Sequence, residues 1–199
     1  VGLPHSTITP IRIDGGFETL RLDKSFCELK LPNSDTPLRI ITTPYANEIR
    51  LRTYLGHEES EEALRSVLRE HWQNTANRFC DGDGVNILTT HLFMVKEGTL
   101  LPDEPDDEKP ILYVGGASPI YSTDIPESIQ YVALGHLHRM QTIDTKPCPV
   151  VYTGSPLAYS FSEANQTKFV AIVDVEPMCK AVVTPIQLTQ GLSLVRKRF

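Results

Sequence analysis

Between Ile11 and Pro44, apolar and β-branched residues come in short runs (Ile11-Arg12-Ile13, Thr19-Leu20-Arg21, Phe26 to Leu31) broken at Asp14-Gly15-Gly16 and Pro32-Asn33-Ser34. Alternation on this scale, punctuated by turn-forming residues, predicts short strands joined by turns. The run from Pro37 to Pro44 adds a compact strand bounded by prolines. The period then changes from two to 3.6. From Ser60 to Phe79 the apolar residues Leu64, Val67, Leu68, Trp72, Ala76 and Phe79 recur at spacings of three and four, leaving Glu, Arg and Asn on the opposite face. This spacing predicts an amphipathic helix. Glu58, Glu59, Glu61 and Glu62 crowd its start, where the positive end of the helix dipole favours them. Asp81-Gly82-Asp83-Gly84 ends the helix, and 85–90 reads as a strand. The order strand, helix, strand predicts a right-handed crossover in a parallel or mixed sheet.

The segment from Glu97 to Lys109, rich in Pro, Asp and Glu, has no periodicity and reads as a solvated loop. Beyond it, strands are expected at 111–114, 131–134, 150–152 and 169–175, and at 181–188 despite Pro185, with Glu176-Pro177 opening a hairpin turn. No internal repeat or low-complexity tract interrupts the chain.

Composition narrows the class. The chain has 199 residues, 40% of them hydrophobic and 22% charged, with a formal net charge of −6. A chain this long buries roughly 70% of its unfolded surface, enough for a core without disulfides or a structural metal. No apolar run approaches the ~20 residues of a membrane span, and the start has neither the basic region nor the apolar stretch of a signal peptide. A cytoplasmic protein without membrane contact is expected. The acidic balance argues against coating nucleic acid by bulk charge, yet leaves open a metal site that acts on phosphate. Cys27, Cys80, Cys148 and Cys179 are too widely spaced for a zinc knuckle or redox pair and read as thiols. Val1 is not an initiator methionine, which raises the expectation of a piece cut from a longer product.

Three of the six histidines stand where a strand gives way to a loop: His91 after 85–90, and His136 and His138 after 131–134 in Leu134-Gly135-His136-Leu137-His138-Arg139. Ligand sites in open α/β sheets gather at the carboxyl ends of strands. Histidines at i and i+2 of an extended segment point to one side, so one metal can take both or two adjacent metals one each. A lone histidine is more often a packed or surface residue, which is how His5, His57 and His71 read. Three imidazoles bring no negative charge, and two dications about 3.5 to 4 Å apart normally need bridging carboxylates. Asp81 and Asp83 precede a strand instead of following one, and the acids of 97–109 read as solvated. The metal site is therefore incomplete on its own residues. Thr153-Gly154-Ser155-Pro156 lacks the frame of a nucleophile elbow and reads as a turn. Gly115-Gly116 lacks a phosphate-binding motif. Tyr159, Phe161 and Phe169 could stack a base, but aromatics between strands usually pack, and packing is the expectation.

The run Tyr131-Val-Ala-Leu-Gly-His-Leu-His-Arg-Met-Gln141, then Val151-Tyr-Thr-Gly-Ser-Pro-Leu157, Ser160-Phe-Ser-Glu-Ala164, Lys168 and the strand to Asp174 resembles the later part of SbcD-type nuclease subunits. Thr90-His91-Leu92-Phe93 matches the preceding histidine motif, and Gln190-Gly191 resembles the step towards the family's DNA-capping domain. These subunits are calcineurin-like metallophosphoesterases. The resemblance implies an α/β two-sheet sandwich, of which this chain is the strand-rich second half with one amphipathic helix. It implies residues 1–188 as the C-terminal part of the phosphoesterase domain and 189–199 as a link towards an absent capping domain. It also implies two divalent ions, Mn2+, with His91, His136 and His138 as ligands. The family's D-x-H, G-D-x-x-D and G-N-H-D motifs do not occur here, so no catalytic acid and no substrate-binding residue is assigned. The implied function is part of an Mn-dependent exonuclease and endonuclease that processes DNA ends and hairpins with an SbcC-type SMC-like ATPase. Inactivity of the piece alone, and a homodimer of the full-length protein, are further expectations. Activity should fall below pH ~6.5, because the histidines must be deprotonated to bind metal. Two alternatives stand beside this: a phosphodiesterase acting on small substrates, and a non-catalytic half-domain that binds a partner.

Overall fold

Alternation along the central strands decides the layering. In Tyr131–Leu134, Val132 and Leu134 enter one hydrophobic cluster while Tyr131 and Ala133 enter another, and in Val150–Tyr152, Val150 and Tyr152 separate from Val151 in the same way. A strand with apolar residues on both faces must be covered on both sides. A computed structural model, which describes residues 12–13, 16–43, 61–99, 119–189 and 194, shows both covers.

The strands are β1 (Arg12–Ile13), β2 (Phe17–Asp23), β3 (Phe26–Lys30), β4 (Leu38–Thr43), β5 (Val85–Thr90), β6 (Met94–Val95), β7 (Ile120–Tyr121), β8 (Tyr131–Leu134), β9 (Gln141–Asp144), β10 (Val150–Tyr152), β11 (Phe169–Asp174) and β12 (Val182–Gln187). The helix α1 spans Glu61–Phe79. Eight strands form one mixed sheet in the order β1-β2-β3-β4-β5-β8-β10-β9. β1 to β4 pair as antiparallel neighbours, β4, β5, β8 and β10 run parallel, and β9 closes the edge antiparallel to β10. β11 with β12, and β6 with β7, form two small two-stranded sheets. The molecule is thus α/β, strand-rich, with a single α-helix among the described residues. β4 and β5 are the parallel neighbours that the strand, helix, strand order predicts.

On one face, Leu68, Trp72 and Ala76 of α1 join Phe26, Ile41, Leu88 and Val132 in the larger cluster. Trp72 is fully buried, and its indole N–H donates to Thr43 Oγ1 at 2.8 Å, fixing the helix to the end of β4. Arg65 forks onto the buried Asp124 carboxylate at 2.6 and 3.1 Å and lies 4.2 Å over the Tyr121 ring, tying α1 to the segment after β7. On the other face the β11–β12 hairpin packs Val173 and Val183, with Ala181 beside them, against Tyr131 and Val151. Pro185 is tolerated because β12 pairs only with β11 among the described residues, so that on its other edge a missing N–H breaks no sheet bond.

The amino ends of the central strands are locked by polar groups. Gln130 accepts from Asn86 N at 2.8 Å and donates to the carbonyls of Cys179 and Glu176, joining β5, β8 and the hairpin turn. Arg39, 7% exposed, donates to Glu28 at 2.8 Å and forks onto Asp81. Asp81 is thereby a structural partner at the end of the sheet remote from the histidines. The four cysteines are unpaired; burial pushes the Cys80 thiol up to about 11 and Cys148 up to about 12.

The strands expected at 131–134 and 150–152 have those bounds, and those expected at 169–175 and 181–188 end within a residue of theirs. β9 adds a strand that the sequence does not announce: Gln141-Thr-Ile-Asp is short and half polar, as suits an edge strand with one ladder partner. The strand expected at 111–114, most of the 97–109 loop, His5, His57 and all but residue 194 of the link after Thr189 lie outside the described residues. No helix among the described residues is long and apolar enough to cross a membrane.

Replacing Trp72 with Ala removes the largest buried side chain between α1 and the sheet and orphans the Thr43 hydroxyl. Urea unfolding should show a loss of about 3–5 kcal/mol, whereas Gln73→Ala on the exposed face should change stability by less than about 0.5 kcal/mol.

Candidate metal centre

Parallel register brings the strand ends to a common line. Thr43 pairs with Thr90, Thr90 with Leu134, and Leu134 with Tyr152, so β4, β5, β8 and β10 stop side by side. The next residues extend the ladder: His91 N donates to Thr43 O at 3.2 Å and Gly135 N to Thr90 O at 2.9 Å. His91, the His136 loop and the Gly154-Ser155 turn therefore emerge at the same carboxyl edge.

His91 and His136 meet there edge to face, ring centroids 5.5 Å apart. Gly135 makes this approach available, since a Cβ at that position would lie 2.7 Å from His91 Nδ1. His136 itself has φ 111, a conformation that costs a non-glycine residue on the order of 1–3 kcal/mol and persists only where the surroundings enforce it. The Tyr152 hydroxyl donates to Leu92 O and accepts from Met94 N, both at 2.7 Å, pinning the loop that carries His91. Burial, reinforced by the charges of His91 and His138, lowers the His136 pKa to about 4; burial and His138 lower that of His91. Both imidazoles are neutral at pH 7, the state in which a nitrogen can bind a cation.

His138 is held differently. Its Nδ1 lies 2.9 Å from Glu163 Oε1, and the Glu163 side chain is completely buried. Glu163 Oε2 pairs with Lys168 Nζ and lies 3.3 Å from Ser155 Oγ. Lys168 donates further to Ser155 Oγ at 2.9 Å and to His138 O at 3.2 Å. Gly154, at φ 77, permits the close approach of the two loops, because a Cβ there would be 2.7 Å from His138 O. Burial alone would raise the Glu163 pKa, but the hydrogen bonds and charges of Lys168 and His138 hold it below the usual carboxylate range. An ionised carboxylate only accepts, so the proton between the two groups sits on His138 Nδ1. A buried carboxylate holding a histidine by its Nδ1 is the supporting pattern of metal-binding imidazoles.

The three histidines singled out from the sequence thus share one edge, and their donor type suits a divalent transition metal. Among the described residues, no group of three or more His, Cys, Asp or Glu is arranged to hold a metal ion. The carboxylate nearest the trio, Glu163, stands behind His138 and is occupied by Lys168 and Ser155. His71 is satisfied elsewhere, its Nε2 2.6 Å from Ser25 Oγ. Ser155, a turn residue by its sequence, belongs to the Glu163 network. Glu163 carries no signal of its own in the sequence, because nothing there pairs residue 163 with residue 138. One expectation is corrected: Tyr159 and Phe161 do not pack in a core but are 67% and 58% exposed. The segment from Gly154 to Gln166 is a surface turn anchored by Glu163 beneath it.

No family model matches the chain. It is 36% identical over 172 residues to the SbcD subunit of the SbcCD nuclease of Bacillus subtilis (strain 168), an alignment covering 84% of this chain and 42% of that protein. To the SbcD subunit of the SbcCD nuclease of Staphylococcus epidermidis it is 29% identical over 172 residues, covering 83% of this chain and 42% of the relative. The chain matches SbcD-type nuclease subunits over most of its own length. It spans about two fifths of the length of these curated relatives. The resemblance drawn from the histidine motifs is borne out by both.

The lowered His136 pKa has a definite sign. The folded chain resists protonating this ring while the unfolded chain does so near 6.5, so stability is lost as pH falls from about 6.5 to about 4. Histidine NMR titration of the metal-free chain should give His136 a midpoint well below the ordinary value; a midpoint near 6.5 would refute the assigned environment.

Proposed function

We propose that this chain is the later part of the catalytic domain of a metal-dependent DNA nuclease subunit of the SbcD type. The observation that carries the proposal is the edge-to-face pair of His91 and His136 at the carboxyl edge of the sheet, with the Glu163-held His138 on the loop that follows the same strand. In this account His91, His136 and His138 are nitrogen ligands of a two-metal centre, Mn2+ in the cell, whose bridging carboxylates come from the rest of the protein. The metals when bound would activate water and stabilise the leaving oxygen of a phosphodiester.

The chain's own residues supply orientation and charge. Glu163 keeps the Nδ1 proton on His138 and fixes the ring, while Lys168 neutralises the carboxylate so that no net negative charge is buried behind the ligand. Burial keeps His91 and His136 deprotonated. The His136 backbone, held at φ 111, fixes the loop between the two ligands that follow β8. Acting on DNA ends and hairpins beside an SbcC-type ATPase, as a homodimer in the cytoplasm, completes the proposed role. Because the donor set is incomplete, the 199-residue chain alone is inactive in this account.

In the full-length protein, His91→Ala or His136→Ala should abolish Mn2+-dependent cleavage of linear duplex DNA with the far-UV circular dichroism unchanged. Glu163→Gln should weaken metal binding by about 10–100-fold. Wild-type-like cleavage by either histidine variant would defeat the proposal, and cleavage confined to small diesters would replace DNA as the substrate.

A further inference from the structure

Leu157, Tyr159 and Phe161 are 55%, 67% and 58% exposed, a group of large apolar side chains left in water along one short segment. The segment is anchored at both ends. Ser155 Oγ donates to Leu157 O at 2.7 Å, and Glu163 N donates to Ser160 O at 3.1 Å. Tyr159 therefore stands between two fixed points, and its ring centroid lies 5.5 Å from that of His138 at an interplanar angle of 51°. Most of its surface faces outward. Beyond His138, exposed Arg139 together with Asn165, Gln166 and Thr167 lines an open cavity of about 390 Å3, to which Met140 and Phe169 contribute the apolar part. A guanidinium, two amides and a hydroxyl suit the phosphates and base edges of a nucleotide better than the apolar face of a peptide.

We infer that Tyr159 is a stacking platform for a nucleobase turned out of the strand whose phosphate lies at the histidines. The inference rests on the nuclease reading for the location of the phosphate and adds a substrate contact to it. An anchored aromatic with an open face offers stacking to any base, because every base has a π-face, and it does so without sequence preference. Tyrosine gives this area at low cost in side-chain entropy. Single-stranded or locally melted DNA is the form that can present such a base; in an intact duplex the base remains stacked on its neighbours. The platform thus selects ends and distorted sites over continuous duplex.

Fluorescence anisotropy with the full-length protein tests it directly. The probes are a short fluorescein-labelled single strand and a strand of equal length in which every base is replaced by an abasic sugar. Wild type should bind the base-bearing strand about tenfold more tightly, the lower part of the range for one stacked base. Tyr159→Phe should keep that preference. Tyr159→Ala should erase it while leaving affinity for the abasic strand unchanged. A wild type that does not distinguish the strands, or a Tyr159→Ala variant that keeps the preference or weakens both strands alike, would overturn the inference; in the last case the exposed apolar group serves another contact. Metal-dependent cleavage by the full-length protein is scored separately, so cleavage without base preference sinks the stacking role alone, and base preference without cleavage sinks the nuclease reading alone.

Discussion

Glu163 is a fully buried carboxylate, and the candidate site is arranged around the need to compensate it. Removing a charge from water costs several kcal/mol unless partners replace the lost hydration. Here Lys168 supplies the opposite charge and also donates to Ser155 Oγ, while His138 supplies a hydrogen bond. Each of these partners belongs to a different piece of chain, so satisfying one oxygen pair fixes the β8–β9 loop, the turn after β10 and the start of β11 relative to one another. The depressed Glu163 pKa means that this contribution is present above the ordinary carboxylate pKa and is lost as pH falls through the lower folded value. Deleting one member leaves the others buried and unmatched, which typically costs about 3–5 kcal/mol.

This network would position nothing without the sheet beneath it. Parallel pairing of β5, β8 and β10 aligns three strand ends, and the two-faced apolar pattern of β8 and β10 forbids a shift by one residue, since that would exchange the faces toward α1 and the β11–β12 hairpin. The polar locks at opposite ends divide the work. Gln130, Asn86, Arg39 and Asp81 secure the amino ends, whereas Tyr152, Gly135 and Glu163 shape the carboxyl ends.

Much of this is legible in the residues. The 3.6 period around Trp72 and the β-branched runs at 85–90, 131–134 and 150–152 are local signals, and strands whose residues are buried on both faces leave continuous apolar runs. The histidine trio is legible because each member follows such a run closely. What stays hidden is set by contacts distant along the chain. The 25 residues that separate His138 from Glu163 carry no mark of their pairing, and β9 is too short and polar to announce itself before β10 offers it a partner. Tyr159 and Phe161 illustrate the reverse error: aromatic residues near strands suggest a core, but whether they reach it depends on the course of the turn, which Glu163 fixes from beneath. The pairing of Asp81 with Arg39 likewise depends on β4 and β5 becoming neighbours.

The most direct measurement is the tautomer of His138, read from long-range proton–nitrogen correlations of the imidazole in the metal-free chain at neutral pH. The buried, ionised Glu163 requires the proton on Nδ1, and Glu163→Gln should release that restriction. A neutral His138 with its proton on Nε2 and a bare Nδ1 would contradict the account, because the carboxylate would then face a lone pair.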